Sequence, residues 1–259
     1  MATSHQTRVQ YDQIAHLYDA QPYRQKVVDP HVLAFLRAHP ARSGARLAVL
    51  DLGCGTGNQL IANRPALPQA RLVGVDLSYG MLTQARRKAQ DILWVQADSS
   101  SPPFPEARFD VITNQYALHH VRDKHAMLIA VWRLLRAGGR FVCTNIAPHE
   151  MEGWIYYRYF PAARAVDLRD FLAPDALIAL LQQIGFIQIT CTRQQTSTMQ
   201  SLPAFLEVAQ QRDTCSQLLT IPEQDYRAGL RQIKTELRQG TREVPTQLCI
   251  LTVCAEKPS

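Results

Sequence analysis

Short runs of apolar residues recur along the chain, and most of them end in a polar or glycine-containing turn. Nearly continuous apolar runs of this length are typical of strands buried on both faces of a parallel sheet. They predict seven strands, at about residues 46–51, 71–76, 92–96, 109–114, 139–145, 186–189 and 248–253. Parallel strands need crossover connections, so helices are expected between them.

Helical patterns occupy the intervals between these strands. Ser78 predicts the N-cap of one helix. Asp123 predicts the cap of another, whose apolar residues repeat with a helical period and which is expected to end at Gly138. Pro174 opens a third helix that ends at Gly185. The alternation predicts an α/β fold in which these helices pack on the sheet.

Three segments are additional to this alternation, and the whole chain, 1–259, is expected to form one domain. The predicted divisions are a helical cap at 1–42, a core at 45–146, and two cap inserts at 147–173 and 193–243. In the first segment, Tyr11 and Tyr18 fall on one helical face, and Asp29 starts a second helix. In the last, a Thr220-x-x-Glu223 capping box starts a helix. These segments are expected to determine substrate choice.

Composition indicates a globular protein. Of the 259 residues, 46% are hydrophobic and 19% are charged, which is ordinary for a soluble domain. No apolar stretch approaches the roughly 20 residues that a bilayer span needs, and residues 1–10 carry no signal-peptide core. A cytoplasmic protein without a membrane span is therefore expected. The six cysteines include no Cys-x-x-Cys pair, so we expect reduced thiols and no metal site.

The formal net charge is +6 at neutral pH, which by itself would allow an anionic partner. The basic residues, however, are spread along the whole chain, and the run from Arg86 to Lys88 falls on the predicted solvent face of a helix. A dispersed charge of this kind affects solubility more than recognition. We therefore expect no nucleic-acid partner.

The segment from Val49 to Gly57 is predicted to be a buried strand that ends in an acidic, glycine-rich turn. Such glycines permit backbone conformations that a side chain would forbid, and they let the main chain approach a ligand closely. A dinucleotide fingerprint is Gly-x-Gly-x-x-Gly. Here Gly53, Gly55 and Gly57 are spaced Gly-x-Gly-x-Gly, with Asp51 two residues ahead. The turn therefore indicates a nucleotide-like cofactor other than a dinucleotide.

Four further segments follow the glycine turn in order, at 73–78, 95–99, 109–121 and 134–142. Together with that turn they resemble the motifs of the class I S-adenosylmethionine (SAM) dependent methyltransferases. The part from Tyr116 to Val121 is similar to the segment found in the small-molecule branch, which includes the ubiquinone/menaquinone methyltransferases. The resemblance covers roughly residues 45–145.

This resemblance implies an α/β, doubly wound, Rossmann-like sheet of seven mostly parallel strands, the seventh antiparallel, with helical cap insertions. It also implies SAM as the cofactor, S-adenosylhomocysteine as its product, and a small-molecule acceptor. Methyl transfer is an in-line displacement at an activated sulfonium, so the protein mainly has to align the reactants and exclude water. No metal is needed for that reaction.

The resemblance also assigns the cofactor site. The implied cofactor-binding residues are Tyr11, Tyr18, Asp51, Gly53, Cys54, Gly55, Gly57, Asp76, Leu77, Met81, Asp98, Ser99, Asn114, Gln115 and His119. Asp76 is expected to accept both ribose hydroxyls, since a carboxylate offers two oxygens at the spacing of a vicinal diol. Asp98 and the Ser99 amide are expected at the adenine, and Met81 beside the adenine or ribose. The Asn114 carbonyl is expected at the ammonium group.

Each of these assignments has a plainer alternative. Asp76 can cap a helix, Asp98 can be a turn residue, and Met81 can belong to the ordinary core. Tyr11 and Tyr18 are expected to close over the methyl donor, although packing alone would also explain them.

The catalytic candidates are His119 and Tyr18. His119 and His120 are the obvious general-base candidates, and a structural role for both is the alternative. Trp154 and Tyr157 are the candidate acceptor-binding residues, since the aromatic segment that contains them is expected to form a lid with the other two additional segments.

Functions outside small-molecule methylation are less favoured. Enzymes that methylate nucleobase amines usually carry Asn/Asp-Pro-Pro-Tyr/Phe after strand four, where this chain has the sequence Thr-Asn-Gln-Tyr at 113–116. An NAD-dependent oxidoreductase is opposed by the glycine spacing. A non-catalytic SAM-binding regulatory protein would share the same motifs, so turnover has to separate it from an enzyme. A monomer or a homodimer is expected, and the acceptor atom stays open.

Overall fold

A computed structural model describes residues 10–21, 24–42 and 47–259 of the chain. The predicted cap at 1–42 is therefore described only in part, because residues 1–9, 22 and 23 lie outside these ranges. Residues 45 and 46, at the start of the predicted core, also lie outside them.

Seven strands form one sheet within the described ranges. They are β1 Ala48–Leu52, β2 Arg71–Asp76, β3 Leu93–Gln96, β4 Phe109–Gln115, β5 Leu135–Ile146, β6 Ile187–Ser201 and β7 Glu243–Glu256. Their order is β3-β2-β1-β4-β5-β7-β6, and the four pairs from β3 to β5 are parallel. The Lys257 amide donates to Gly139, and the Ala147 amide donates to Cys249, so β7 runs antiparallel to β5. The predicted seven-stranded, mostly parallel sheet is confirmed.

Eleven α-helices accompany the sheet in the described part of the chain. They are α1 Tyr11–Ile14, α2 Pro30–Ala38, α3 Asn58–Asn63, α4 Tyr79–Lys88, α5 Lys124–Leu134, α6 Ile155–Tyr159, α7 Pro161–Asp170, α8 Pro174–Ile184, α9 Leu202–Gln210, α10 Ser216–Thr220 and α11 Glu223–Arg238. The predicted N-caps Asp29, Ser78 and Asp123 each accept a hydrogen bond from a first-turn amide. None of the helices within the described ranges has the length and apolar character that a bilayer span requires.

The predicted end of α5 is wrong by several residues. The helix stops at Leu134, and β5 starts at Leu135, although Leu135 fits the helical period. Gly138, expected as the helix stop, has φ +67 inside β5, and its amide donates to the Lys257 carbonyl. The register to β4 shifts at this point, as in a β-bulge. Gly138 thus permits an irregular strand entry and does not end a helix.

The last two strands are much longer than the sequence predicts. β6 runs for 15 residues and β7 for 14, so the insert expected from residue 193 begins as strand. β6 is an edge strand, and most of its side chains are exposed. An exposed edge strand needs no apolar pattern, which is why its Thr- and Gln-rich half was missed.

Two smaller predictions about helices also differ from the structure. The N-terminal helix has only four residues, and Tyr18 begins a separate 3-10 turn that ends at Ala20. Thr220 is the last residue of α10, and Pro222 is the N-cap of α11, so the expected capping box does not form. Proline between the two box residues fixes its own φ and favours a break there.

The chain divides into two compact units by its internal contacts. The sheet unit consists of Tyr11–Asn145, Pro174–Arg193 and Leu251–Ser259. Its core lies on both faces of β1, β2 and β4, whose residues are almost all buried. The carboxyl ends of these three strands carry Asp51, Asp76 and Asn114, so the sheet unit positions the residues that the motifs single out.

The helical unit consists of Gln10, Ile146–Ala173 and Gln194–Ile250 among the described residues. The predicted inserts 147–173 and 193–243 fall almost entirely within it. Its five helices enclose an aromatic interior in which Phe160 and Tyr226 stack at 6.0 Å and Phe205 meets Tyr156 edge-on at 5.0 Å. A Cβ at Gly229 would overlap the Phe160 ring, so the packing there is tight. The single-domain assignment stays a prediction.

Candidate active site

The glycine loop connects β1 to α3 and is fixed to β2 by main-chain hydrogen bonds. The amides of Gly53 and Cys54 both donate to the Val75 carbonyl, at 2.8 and 3.0 Å. Gly57 has φ +79, and a Cβ there would overlap the Trp94 ring, so both conformation and packing require glycine. Beside Gly55, in contrast, no heavy atom of the described residues lies within 4 Å of the place a Cβ would take. The loop is supported on one side and has open space on the other.

Asp76 ends β2 and joins the loop to the next turn. Its Oδ2 accepts from the Gly55 amide, and its Oδ1 accepts from the Ser78 amide, both at 2.8 Å. Burial raises the pKa of Asp76, the main-chain amides of Ser78, Gly55 and Leu77 lower it, and the Asp12 charge raises it, with a net upward shift. Each carboxylate oxygen has a second lone pair. The local capping role is therefore present, and it leaves acceptor capacity for a diol.

Asp51 near the end of β1 is buried, and its Oδ1 accepts from the Thr113 hydroxyl at 2.7 Å. Burial raises its pKa from the ordinary 3.8 to about 7. The Thr113 bond and the Lys26 ammonium lower the pKa, while nearby carboxylates raise it. Because this pKa lies near neutral pH, a charge placed beside Asp51 would change the fraction of Asp51 that is ionised.

The end of β4 carries two amide side chains that are already engaged. Asn114 is fully buried, and its Nδ2 donates to the Leu52 carbonyl at 2.7 Å. Gln115 donates through Nε2 to Asp29 Oδ2 at 2.6 Å. The Asn114 side chain thus ties β4 to β1, and its main-chain carbonyl is the group predicted to face the cofactor.

The two histidines lie in a 3-10 turn, Leu118–His120, directly after β4. Their rings are 3.8 Å apart, and a hydrogen bond of 2.6 Å joins His120 Nε2 to the Tyr11 hydroxyl. Burial is the largest cause that lowers the pKa of His119 well below 6.5, and the neighbouring His120 lowers it further. A hydrogen bond with Asn145 acts in the opposite direction. His119 is therefore neutral at neutral pH, the state in which an imidazole accepts a proton.

The N-terminal segment contacts two parts of the site through Asp12 and Asp19. Asp12 Oδ1 accepts from the Ser78 hydroxyl at 2.8 Å and from the Gly80 amide at 2.6 Å, at the start of α4. Asp19 contacts the glycine loop and α3. Its carboxylate accepts hydrogen bonds from Thr56 (2.6 Å), Asn58 (2.9 Å) and Lys88 (2.6 Å). Sequence reasoning missed both acids, although the repeated Tyr-Asp pairs at 11–12 and 18–19 were a signal.

Tyr11 and Tyr18 meet edge-on, with ring centroids 6.2 Å apart. The Tyr18 hydroxyl accepts from Arg24 at 2.6 Å, and the guanidinium of Arg24 lies 3.9 Å from the Tyr18 ring centre. Burial is the main cause that raises the pKa of Tyr18, so its hydroxyl stays protonated. The structure thus brings both tyrosines together, Tyr11 beside His120.

Residues predicted at the adenine are less engaged. Met81 is buried in the first turn of α4, while Leu77 is 46% exposed. Asp98 is exposed, and its Oδ1 accepts from the amide and the hydroxyl of Ser100, at 2.8 and 2.5 Å. Ser99 is half-buried between them. Asp98 therefore performs the turn role, and its adenine role stays a prediction.

The predicted acceptor residues Trp154 and Tyr157 belong to the helical unit. Their rings meet edge-on at 5.0 Å, and the Tyr157 hydroxyl donates to Asp167 Oδ2 at 2.7 Å. Burial raises the pKa of Asp167 to about 7 and also raises the pKa of Tyr157. The Tyr157 ring is buried, so Trp154 is the more accessible of the two.

No cluster of three or more His, Cys, Asp or Glu side chains suited to a metal ion occurs in the described ranges. The acids at the sheet edge are instead bound by main-chain amides and hydroxyl groups. Such carboxylates can also accept hydrogen bonds from the hydroxyl groups of an organic ligand.

The chain is similar to several known methyltransferases. A family model described as "Methyltransferase domain" matches residues 49–139. A demethylmenaquinone methyltransferase of Thermus thermophilus is 30% identical over 165 residues, covering 53% of this chain and 73% of that protein. A 2-phytyl-1,4-naphtoquinone methyltransferase of Thermosynechococcus vestitus is 30% identical over 202 residues, covering 69% of this chain and 89% of the other.

A solved structure adds the fold at full length. Phosphoethanolamine N-methyltransferase 2 of Haemonchus contortus, in complex with S-adenosyl-L-methionine, aligns with a TM-score of 0.61 and 18% identity. The match covers all of this chain and 61% of that one. Fold, site and relatives together define a class I SAM-dependent methyltransferase that acts on a small-molecule acceptor. The chain belongs to that family, in the branch that resembles the ubiquinone/menaquinone methyltransferases.

Proposed function

We propose that SAM binds at the carboxyl ends of β1, β2 and β4, against the glycine loop. The observation that carries this placement is the open space beside Gly55, next to an Asp76 carboxylate with unused lone pairs. When bound, SAM supplies a methyl group on an activated sulfonium. The proposed cofactor-binding residues are Tyr11, Tyr18, Asp51, Gly53, Cys54, Gly55, Gly57, Asp76, Leu77, Met81, Asp98, Ser99, Asn114, Gln115 and His119.

His119 and Tyr18 are the proposed catalytic residues. His119 is neutral and can accept a proton from an acceptor hydroxyl or acidic carbon, and the Tyr11 and His120 pair holds its ring in place. Tyr18 is held by Arg24 and excludes water from the methyl donor. A His119→Gln variant that loses far more turnover than SAM affinity would support a catalytic role of His119 in addition to its proposed contact with the cofactor. Unchanged turnover would contradict it.

The acceptor class that the relatives favour is a hydroquinone ring. Two relatives of 30% identity carry quinone-methylation names, and a hydroxylated ring would provide the proton that His119 accepts. The competing class is a small phosphorylated amine, as named for the Haemonchus contortus enzyme. Trp154 and Tyr157 are the proposed contacts for a flat ring, which aromatic side chains pack well.

A turnover assay separates these acceptors. The protein is incubated with SAM and either reduced demethylmenaquinone, a naphthoquinol, or phosphoethanolamine, and S-adenosylhomocysteine is measured. We expect product with the naphthoquinol only, and less of it with Trp154→Ala. Product with the amine alone would overturn the acceptor class, and SAM binding without product from a broad acceptor panel would favour a regulatory SAM-binding protein.

Three further properties are part of this proposal. The protein acts in the cytoplasm, as a monomer or homodimer, and without a nucleic-acid partner. The dispersed basic residues support the last point, because a nucleic-acid footprint concentrates positive charge on one face. Sedimentation measures the oligomeric state. RNA binding below micromolar concentration at physiological salt would contradict the third point, since purely electrostatic binding weakens steeply with salt.

A further inference from the structure

The backbone around Lys26 is held in place by two amide side chains of α3. Asn58 Nδ2 donates to the Arg24 carbonyl at 3.1 Å, and Gln59 Nε2 donates to the Val27 carbonyl at 2.9 Å. Asn58 and Gln59 are the first two residues after the glycine loop. Lys26 is therefore presented beside the loop by contacts on both sides of it.

A second anchor follows at Asp29. Its amide donates to Asn63 Oδ1 at 2.9 Å, and its Oδ2 accepts from Gln115 at 2.6 Å. Asp29 and Asn63 are both buried, so these bonds are sheltered from water. The segment that carries Lys26 is thus tied to α3 and to the end of β4 at once.

The Lys26 ammonium itself lies over an aromatic ring at this edge. Its Nζ is 4.4 Å from the centre of the Tyr116 ring. Tyr116 follows β4 with φ +54, a conformation that residues with a Cβ seldom adopt, and its amide donates to Thr144 at 2.7 Å. Backbone strain of this kind is concentrated at ligand sites.

Lys26 forms no ion pair with a carboxylate in the described ranges, although it is half-buried. Burial and then Arg24 lower its pKa, while Asp51 and Asp29 act in the opposite direction. A partly desolvated ammonium is costly unless an anion binds it. Lys26 lies over Tyr116, which follows β4, and Asp51 lies near the end of β1, so a positive and a negative group belong to the same carboxyl edge of the sheet.

The amino-acid end of SAM carries an ammonium and a carboxylate on one carbon, and this pair of charges complements Asp51 and Lys26. We infer that Lys26 binds the carboxylate of the cofactor and selects SAM and S-adenosylhomocysteine over analogues without it. This inference rests on the cofactor placement proposed above. The plainer role, a counter-ion for Asp51 and Asp29 alone, predicts no dependence on the ligand's carboxylate.

Calorimetry with two ligands tests the inference without turnover. SAM and decarboxylated SAM differ only in the carboxylate, and both are titrated into the wild type, Lys26→Met and Lys26→Arg. We expect Lys26→Met to weaken SAM about ten- to a hundredfold and to leave decarboxylated SAM within about twofold, since a hydrogen bond to a charged group is lost for SAM alone. Lys26→Arg keeps the charge and is expected to retain most of the preference.

Lys234→Met is the matched control, because Lys234 is exposed on α11 and its replacement removes the same charge. Equal weakening of both ligands by Lys26→Met, or no weakening of either, would overturn the carboxylate assignment. If Lys26→Met does not fold by circular dichroism, the Lys26→Gln variant and the same ligand ratio decide. Failure of the wild type to bind SAM would instead refute the proposed function, so the two failures are distinguishable.

Discussion

Each of the two units buries a carboxyl group whose pKa is raised to about 7, and the two groups have different neighbours. Asp51 in the sheet unit has the charges of Lys26, Asp29 and Asp76 around it. Asp167 in the helical unit is bound by neutral donors, the Tyr157 hydroxyl at 2.7 Å and the Gln217 amide at 3.4 Å. Asp51 is therefore surrounded by several charged groups, whereas the direct partners of Asp167 are neutral and the charge that acts on its pKa is that of Asp170.

This difference indicates how the two units use polar groups. In the sheet unit, acids lie at the edge where three strands end, and several retain lone pairs for a ligand. In the helical unit, Asp167 connects α6, α7 and α10 inside an aromatic core and has no charged partner within hydrogen-bond reach among the described residues. The first arrangement suits a charged cofactor, and the second suits internal cohesion.

The largest expected contrast comes from two tightly packed glycines. Gly57→Ala places a methyl group against Trp94 at φ +79, and Gly229→Ala places one against Phe160. Both changes are expected to lower the free energy of unfolding by roughly 1–3 kcal/mol or more. Calorimetry should show loss of SAM binding for Gly57→Ala only. Partial recovery of stability in the Gly57→Ala, Trp94→Leu double variant would identify the overlap with the Trp94 ring as the cause. Equal SAM affinity in the Gly57→Ala and Gly229→Ala variants would contradict the assignment of the glycine loop to the cofactor.

The next contrast concerns charge removal. Asp76→Ala is expected to weaken SAM about ten- to a hundredfold, because it removes a charged acceptor from the proposed ribose contact. Asp167→Ala should reduce stability and leave SAM affinity within about twofold. Calorimetry gives the affinities, and urea unfolding gives the stabilities. Unchanged affinity in Asp76→Ala would remove the ribose assignment.

A third contrast is in pH dependence. Because the folded-state pKa of Asp51 and of Asp167 lies above the ordinary 3.8, the folded protein binds more protons between about pH 4 and 7. Stability should therefore fall as pH rises through that window, by at most about 1.4 kcal/mol per pH unit for each group. Asp51→Asn and Asp167→Asn should each flatten the curve. Saturating SAM, a cation, should reduce only the share of this pH dependence that Asp51 causes. If SAM changed the pH dependence of both variants equally, the proposed difference between Asp51 and Asp167 would be wrong.

The smallest contrast uses two surface ion pairs. Lys88 pairs with Asp19 at 2.6 Å and Arg164 pairs with Glu152 at 2.9 Å. Partly exposed pairs contribute about 0–1 kcal/mol. Lys88→Gln should weaken SAM by no more than about fivefold, because it loosens the N-terminal segment, and the difference from wild type should shrink in high salt. Arg164→Gln should have no effect on SAM affinity, and an equal effect of both variants would argue against that segment's role.

Much of the sheet unit could be predicted because its signals are local. Buried strands give continuous apolar runs, and Ser78 and Asp123 sit where a helix N-cap must sit. Leu135 was misplaced because its apolar side chain fits both α5 and β5, and only pairing with Phe109 decides between them. The exposed half of β6 carries no periodic signal, so its length depends on pairing that no local pattern encodes.

The site was predicted where motifs specify residues at fixed spacing, as for Gly55 and Asp76. Lys26 and Asp19 were missed because they belong to no motif themselves, and Asp51 and Thr56, which they approach, lie 25 or more residues further along the chain. Tyr157 was predicted from aromatic clustering, and its hydroxyl proved to be bound to Asp167. Sequence spacing thus located the strand ends, while the contributions of the N-terminal segment required tertiary contacts.

Trp94 has a consequence for how this family can vary. Its ring fills the space that a Cβ would need at both Gly57 and Gly74, and its Nε1 donates to the Ala89 carbonyl at 2.8 Å. These three positions are therefore coupled by packing, and a substitution at one restricts the others. Gly74 lies inside β2 with an ordinary φ, but a Cβ there would also lie 2.8 Å from Cys54 Sγ, so alanine at position 74 needs both a small residue at position 94 and a shift of the Cys54 side chain. A lineage that gains tryptophan at position 94 has to hold glycine at position 74 first.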